Sequence, residues 1–142
     1  MTHVLVLGPS GVGKTTLVKM LAERLCGCSV RIVREQRGRF LDLVMTDPFR
    51  WGFVNQLDYV AQFLGLALEA EHASADQVVL QDRSVFETIG VYTALLHASA
   101  ALSDTQVHTL ERVVALAQPS TPDLTVAVLA DPVLQHERLP LG

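Results

Sequence analysis

The feature that most restricts how this chain can fold is a segment with the pattern G-x-x-x-x-G-K-T, which runs from Gly8 to Thr15. It follows a short apolar run, residues 3–7, and precedes a stretch whose apolar residues recur at helical spacing. Glycines in such a segment let the backbone curl so that consecutive N–H groups point at phosphate oxygens, and the next helix presents its positive end to them. The sequence therefore predicts a buried strand, a phosphate-binding loop and a helix, in that order.

The residues of the loop have distinct expected tasks. Lys14 is expected to reach the β and γ phosphates of ATP or a close relative, and Thr15 to place its hydroxyl on Mg²⁺. ATP and Mg²⁺ are therefore the expected cofactors. The residues expected to bind the nucleotide are Gly8, Ser10, Gly11, Val12, Gly13, Lys14, Thr15 and Thr16.

Strand and helix patterns alternate along the rest of the chain. The predicted strands are 3–7, 29–33, 76–82 and 124–129, and the predicted helices are 14–24, 47–72, 84–98, 104–117 and 132–139. Alternation of this kind favours an α/β fold with a mostly parallel sheet and helices on both faces. In such folds ligands gather at the carboxyl ends of the strands.

Composition limits the class of protein. The 142 residues contain 49% hydrophobic and 18% charged residues, which suits a single globular domain spanning 1–142. The net charge of −4 disfavours a nucleic-acid or anionic-lipid surface. The sequence has neither an apolar run of roughly 20 residues nor a signal-peptide pattern, so the expected location is the cytoplasm. Cys26 and Cys28 are expected to be reduced thiols rather than a disulfide or a metal site.

Three further elements follow in a defined order. Glu35 comes after the second predicted strand, a W-x-F-x-x-Q element spans residues 51–56, and Asp82-Arg83-Ser84 comes after the third strand. Together with the phosphate-binding loop, this ordered set resembles the deoxynucleoside kinase family, and more distantly the thymidylate kinases, over residues 3–138. The resemblance implies a three-layer P-loop NTPase fold with strand order 2-3-1-4 and without the fifth strand of the family.

The resemblance also implies roles for individual residues in phosphoryl transfer to a nucleoside. Glu35 would be the base near the 5′-hydroxyl of the substrate, and Arg83 its cationic partner. The predicted catalytic residues are Glu35, Arg83 and Lys14, and the predicted substrate-binding residues are Glu35, Trp51, Gln56, Arg83 and Tyr92. Gln56 would recognise the edge of the base, and Tyr92 would stack on it. Thr15 and Asp82 are the predicted metal site, with Asp82 acting through water as a Walker-B-type carboxylate.

The sequence departs from the family pattern at several positions. Gln36 stands where many relatives have proline, and Thr88 stands where several relatives have an aspartate that reads the base. The sequence given stops at Gly142, before the arginine-bearing lid that follows the fourth strand in the family. Possible replacements for the lid arginines are Arg37, Arg39 and Arg138. Strand four would then be an exposed edge, and a homodimer is one expected assembly.

The sequence leaves three functions open. The first is a kinase that phosphorylates the 5′-hydroxyl of a deoxynucleoside. The second is a thymidylate kinase-like enzyme that acts on a nucleoside monophosphate, which is suggested by Arg34-Glu35 after strand two. The third is a nucleotide-binding module with little catalysis, which the absent lid would favour.

Overall fold

Four short strands form one all-parallel sheet in a computed structural model that describes residues 1–9 and 11–133. The strands are β1 (Thr2–Leu7), β2 (Ser29–Arg34), β3 (Gln77–Asp82) and β4 (Leu124–Ala127). Their order is β2-β3-β1-β4, so the two central strands are β3 and β1. Registered pairs such as Val6 with Asp82 and Arg34 with Asp82 align the carboxyl ends of the first three strands.

Helices alternate with these strands along the chain. They are α1 (Lys14–Arg24), α2 (Leu41–Thr46), α3 (Pro48–Glu71), α4 (Val85–Glu87), a π-helical segment (Thr88–Thr93), α5 (Ala94–Ala98) and α6 (Asp104–Ala117). This alternation, the parallel pairing and the strand order confirm the predicted α/β P-loop kinase fold. No helix in the described part of the chain is long and apolar enough to cross a membrane.

The predicted elements agree with the structure except in detail. Helix α3 runs without a break through Gly52 and Gly65, and the Asp47 carboxylate accepts a hydrogen bond from the N–H of Arg50 at its start. The short helix α2 and the π-helical segment were not predicted. Most of the predicted helix at 132–139 lies outside the described residues.

The described chain divides into two compact units, each with its own core. The sheet unit comprises residues 1–34, 72–83 and 121–133, and it contains the four strands and α1. Val6 and Leu80 point from adjacent central strands to one face of the sheet, where Val18 of α1 packs against them. All three side chains are at most 1% exposed, so α1 is fixed to the sheet immediately after the phosphate-binding loop.

The helical unit comprises Glu35–Glu71 and Ser84–Ser120. Its core joins Phe63 of α3, Val85 of α4 and Leu110 of α6, with Leu102 before α6. Helix α6 begins with a capping box in which the side chain of Ser103 accepts from the N3 backbone and the N3 side chain accepts from the Ser103 backbone. This packing holds α3 and the π-helical segment, which carry most of the predicted acceptor residues.

Candidate functional site

The backbone of the phosphate-binding loop requires glycine at its turning points. Gly11 and Gly13 have φ values of 77° and 103°, a left-handed region in which a side chain is strained. Gly8 has a φ of 149°, and a Cβ there would lie 2.5 Å from the carbonyl oxygen of Val128. The described part of the loop therefore requires glycine at these positions and lies close to the end of β4. Ser10, another predicted nucleotide-binding residue, lies outside the described residues.

Lys14 is the first residue of α1, and its side chain turns back over the loop. Its Nζ donates a hydrogen bond to the carbonyl oxygen of Pro9 at 2.8 Å, and the residue is only 6% exposed. The first N–H groups of an α-helix have no partner within the helix, and the helix dipole favours negative charge there. The ammonium and the start of α1 thus provide a positive, hydrogen-bond-donating environment that suits phosphate.

A second polar pair lies between α1 and β3. The hydroxyl of Thr15 donates to Oδ2 of Asp82 at 2.9 Å, which brings together the two predicted metal-binding residues. The other carboxylate oxygen, Oδ1 of Asp82, is buried and has no hydrogen-bond partner among the described residues. An unpaired buried carboxylate oxygen is costly and suits a water-bound cation.

These oxygen donors fit Mg²⁺, which usually binds through one or two protein groups, substrate phosphates and several waters. Accordingly, no cluster of three or more His, Cys, Asp or Glu side chains in the described part of the chain could hold a metal ion by itself.

Arg83, the predicted cationic partner of the base, has an unusual backbone. Its φ of 70° lies in the left-handed region, which is uncommon for any residue except glycine. The N–H of Arg83 donates to the carbonyl oxygen of Val6 at 3.1 Å, and its own carbonyl oxygen accepts from Nε2 of Gln81 at 2.8 Å. Backbone strain of this kind concentrates at functional sites, where the surrounding bonds hold it in place.

Gln56 is buried in the helical unit, where it links two elements. Its Oε1 accepts a hydrogen bond from the hydroxyl of Thr93 at 3.0 Å, so the amide is fixed between α3 and the π-helical segment. Tyr92, half-buried, is the neighbour of Thr93. The bond therefore connects α3, which carries Gln56, to the π-helical segment, which carries Tyr92. π-Helical turns are rare and frequently mark functional sites.

The aromatic residues of the W-x-F-x-x-Q element have structural contacts of their own. The ring of Trp51 stacks on Phe40 with centroids 5.9 Å apart and an angle of 15° between planes. Phe53 packs against the core of the helical unit. Phe40, which the sequence did not single out, is a stacking partner of Trp51.

Glu35 is the first residue after β2 and is half-buried. The loop that follows it is held by its own polar contacts, since the N–H of Gln36 donates to Gln62 and that of Gly38 donates to the Tyr59 hydroxyl. Two of the three arginines predicted as replacements for the lid arginines face carboxylates: Arg37 pairs with Asp42, and Arg39 pairs with Asp58. The Arg37–Asp42 pair is exposed on both sides, and such pairs contribute little stability. The Asp58 side chain is only 11% exposed and also accepts a hydrogen bond from the backbone N–H of Arg39. Arg138 lies outside the described residues.

Thr88 is the residue that the family resemblance aligns with a base-reading aspartate. It is 3% exposed, and its hydroxyl donates to the carbonyl oxygen of Ser84 at 3.3 Å. The structure thus brings together the loop with Lys14, and Thr15 with Asp82, in the sheet unit. Within the helical unit it brings the helix of Gln56 to the segment of Tyr92.

Sequence reasoning missed Gln81, Thr93 and Asn55. Asn55 is 3% exposed, and its Oδ1 is buried without a hydrogen-bond partner in the described ranges. The available signal was polarity at buried positions: Gln81 interrupts an apolar strand, and Asn55 precedes Gln56 in an apolar helix.

Comparison with known proteins gives one clear relationship. No curated protein sequence matches the chain significantly. A family model described as deoxynucleoside kinase matches residues 4–139, nearly the whole chain and both units. The match and the all-parallel sheet of order β2-β3-β1-β4 agree with each other, and the family implies nucleoside kinase activity in general. The chain belongs to the deoxynucleoside kinase family.

Proposed function

We propose that this protein transfers the γ-phosphoryl group of ATP to the 5′-hydroxyl of a deoxynucleoside, in the presence of Mg²⁺. The observation that carries the proposal is the hydrogen bond between Thr15 and Asp82, next to a lysine folded over a glycine loop. These are the groups that phosphoryl transfer needs around a nucleoside triphosphate. The family match over residues 4–139 supports a nucleoside as acceptor and a single kinase domain.

In the proposed reaction, the 5′-oxygen forms a bond to the γ-phosphorus while the bond to the β,γ-bridging oxygen breaks, and ADP leaves. The proton of the hydroxyl passes to the carboxylate of Glu35. Lys14 neutralises charge on the β and γ phosphates, and Arg83 orients Glu35 and the reacting hydroxyl. Such reactions depend mainly on positioning and charge stabilisation, which fixed cations supply.

Thr15 and Asp82 would hold Mg²⁺, the former through its hydroxyl and the latter through bound water. When bound, the ion would neutralise charge on the phosphate oxygens. The residues themselves contribute a prepositioned hydroxyl and a buried oxygen acceptor, which is Oδ1 of Asp82. We assign the base-binding role to Gln56 and Tyr92, since the Gln56–Thr93 bond fixes the amide that would read the base. Trp51 is assigned to the wall of the same site.

The test is a phosphorylation assay with Mg-ATP and a panel of nucleosides and deoxynucleoside monophosphates. Lys14→Ala removes the phosphate-binding ammonium, and Glu35→Gln removes the base while keeping its size. We expect a nucleoside to be phosphorylated, with both variants at least 100-fold slower; removal of a comparable cation costs 10³-fold or more in related reactions. Equal rates for the wild type and Lys14→Ala on every acceptor would refute the proposal.

The same panel distinguishes the other functions. Consumption of monophosphates alone would identify a thymidylate kinase-like enzyme. Binding of ATP without transfer to any acceptor would identify a nucleotide-binding module. Glu35→Gln separates transfer from nucleotide binding, because the variant should lose transfer and still bind ATP as the wild type does.

A further inference from the structure

A buried polar pair lies on the sheet face opposite α1. Register places His3 and Leu5 of β1 on the same face as Val79 and Gln81 of β3, because His3 pairs with Val79 and Leu5 pairs with Gln81. His3 is 4% exposed and Gln81 is 3% exposed. Nε2 of His3 and Oε1 of Gln81 are 2.9 Å apart. Leu5, Val79 and Val33 are also buried on this face, and the register places Arg31 of β2 and Thr125 of β4 there as well.

The hydrogen-bond directions in this pair follow from its partners. Nε2 of Gln81 donates to the carbonyl oxygen of Arg83, so Oε1 of the same amide faces His3. An amide oxygen can only accept, and Nε2 of His3 therefore carries the hydrogen. Both ends of the Gln81 amide are thus used, which is what a buried amide requires.

The chain of bonds ends on Arg83, a non-glycine residue with a left-handed backbone. Arg83 has its φ at 70°, and its carbonyl oxygen is the group that Gln81 binds. Its N–H is held separately by the carbonyl oxygen of Val6. A left-handed non-glycine residue persists only where surrounding bonds determine it. The Gln81 amide supplies one of these bonds.

We propose that Gln81 is a positioning residue that holds Arg83 in its left-handed conformation, and that His3 fixes the Gln81 amide for this task. His3 and Gln81 lie 78 residues apart in the sequence, so the pair forms only in the folded chain. An apolar residue at position 81 would fill the same space without needing two partners. The hydrogen bonds of the Gln81 amide to His3 and Arg83 therefore account for a glutamine at this position.

The effect on catalysis rests on the proposed function, in which Arg83 orients the base and the reacting hydroxyl. Without the Gln81 amide, the carbonyl oxygen of Arg83 loses this hydrogen bond and its backbone can leave the left-handed conformation. The phosphate-binding loop is held by other contacts. The expected result is a lower kcat with little change in the KM for ATP.

The experiment compares Gln81→Met with Gln77→Met. Methionine matches glutamine in length but makes no hydrogen bond to a carbonyl oxygen. Gln77 is a matched control because it lies on the same strand and face, at the opposite end, and its amide also makes two bonds, to Ser29 and Ser74. We expect Gln81→Met to lower kcat at least tenfold and to change the KM for ATP less than twofold. Gln77→Met should leave both constants within twofold.

Substitutions of His3 test the second part of the proposal. His3→Leu removes the donor to Gln81, and we expect an intermediate loss of kcat. His3→Gln places an amide nitrogen near the former Nε2 and should recover most of that loss. Equal activities of His3→Leu and His3→Gln would overturn the role of His3.

A measurement independent of turnover keeps this inference separate from the proposed function. The ¹³Cα and ¹³Cβ chemical shifts of Arg83, from arginine-selective labelling and assigned with Arg83→Lys, report its backbone angles. We expect left-handed shifts in the wild type and in Gln77→Met, and their loss in Gln81→Met. Unchanged Arg83 shifts in Gln81→Met would overturn the inference, whether or not the wild type phosphorylates a nucleoside. An inactive wild type would refute only the proposed function.

Discussion

Replacing Asp82 with asparagine should change stability and nucleotide binding in opposite directions. The asparagine oxygen can still accept the hydrogen bond from the Thr15 hydroxyl, so this contact is kept. What changes is the charge of a side chain that is 8% exposed and whose Oδ1 has no partner in the described part of the chain. Asp82→Asn therefore isolates the negative charge from the hydrogen bond.

The magnitude follows from the difference between a neutral and a charged unpaired group. An unsatisfied buried polar group costs about 1–3 kcal/mol and a charged one costs more, so Asp82→Asn should raise the free energy of unfolding by roughly 1 kcal/mol. For a chain of this size that corresponds to an increase in Tm of about 3–4 °C. Loss of a charge-assisted bond to a metal-bound water, worth about 1.5–3 kcal/mol, should weaken Mg-nucleotide binding roughly 10- to 100-fold.

The assay is thermal unfolding with a non-hydrolysable ATP analogue, with and without Mg²⁺. At a ligand concentration of about 100 times the wild-type Kd, binding stabilises the wild type by roughly 2.7 kcal/mol. If the Kd of the variant is about 30-fold higher, the same concentration stabilises it by only about 0.9 kcal/mol. Without Mg²⁺ the two proteins should respond to the analogue similarly.

Asp76→Asn is the control, because Asp76 lies beside the other end of the same strand. The pKa of Asp76 is lowered, mainly by a hydrogen bond from the Ser74 side chain. The charged carboxylate of Asp76 therefore contributes to stability at pH values above its unfolded-state pKa, and this contribution is lost as the pH falls. Asp76→Asn should therefore lower Tm slightly at neutral pH and leave Mg-nucleotide binding unchanged. A lower Tm for ligand-free Asp82→Asn, or an undiminished Mg²⁺-dependent response, would contradict the role assigned to the Asp82 charge.

Three further substitutions test the helical unit. Ser103→Ala removes the cap of α6 and should lower the free energy of unfolding in urea by about 1 kcal/mol, whereas Ser103→Asp should retain most of it; equal midpoints for Ala and wild type would contradict the cap. Gly38→Ala places a Cβ 2.8 Å from the ring of Tyr59 and should cost about 1–3 kcal/mol, so an unchanged midpoint would contradict the packing. Thr93→Val removes the donor to Gln56 and should raise the nucleoside KM roughly tenfold, a change of about 1.4 kcal/mol, without affecting the KM for ATP; equal changes in both would contradict a base-binding role.

The strands of the sheet and the glycine turns before α1 were predictable because their signals are local. The apolar run of β1, the glycines of the loop and the helical spacing of α1 each act over a few residues. Asp47 and Pro48 likewise mark the start of α3. The strand order came from the family resemblance, and the pairing of β1 with β3 then brings Thr15 and Asp82 together.

Other features depend on distant contacts and have no local signal. The π-helical segment from Thr88 to Thr93 has an ordinary helical pattern in the sequence, and its backbone shift appears only in the folded chain. Trp51 was predicted on the substrate, but periodicity does not show that its ring stacks on Phe40. The left-handed backbone of Arg83 is another such case, since arginine itself does not favour that conformation.

Polar residues in buried strands offer a physical route to such features. Apolar side chains satisfy a sheet face without directional contacts, whereas a buried amide must find partners for both its ends. Gln81 finds one partner in His3 and the other in the backbone of Arg83, which carries a predicted catalytic side chain. Because the buried Gln81 amide needs two partners, this polar residue in an apolar strand restricts the backbone of Arg83, which follows the strand. Gln81 is therefore a position at which the fold of the sheet and the proposed chemistry at Arg83 depend directly on each other.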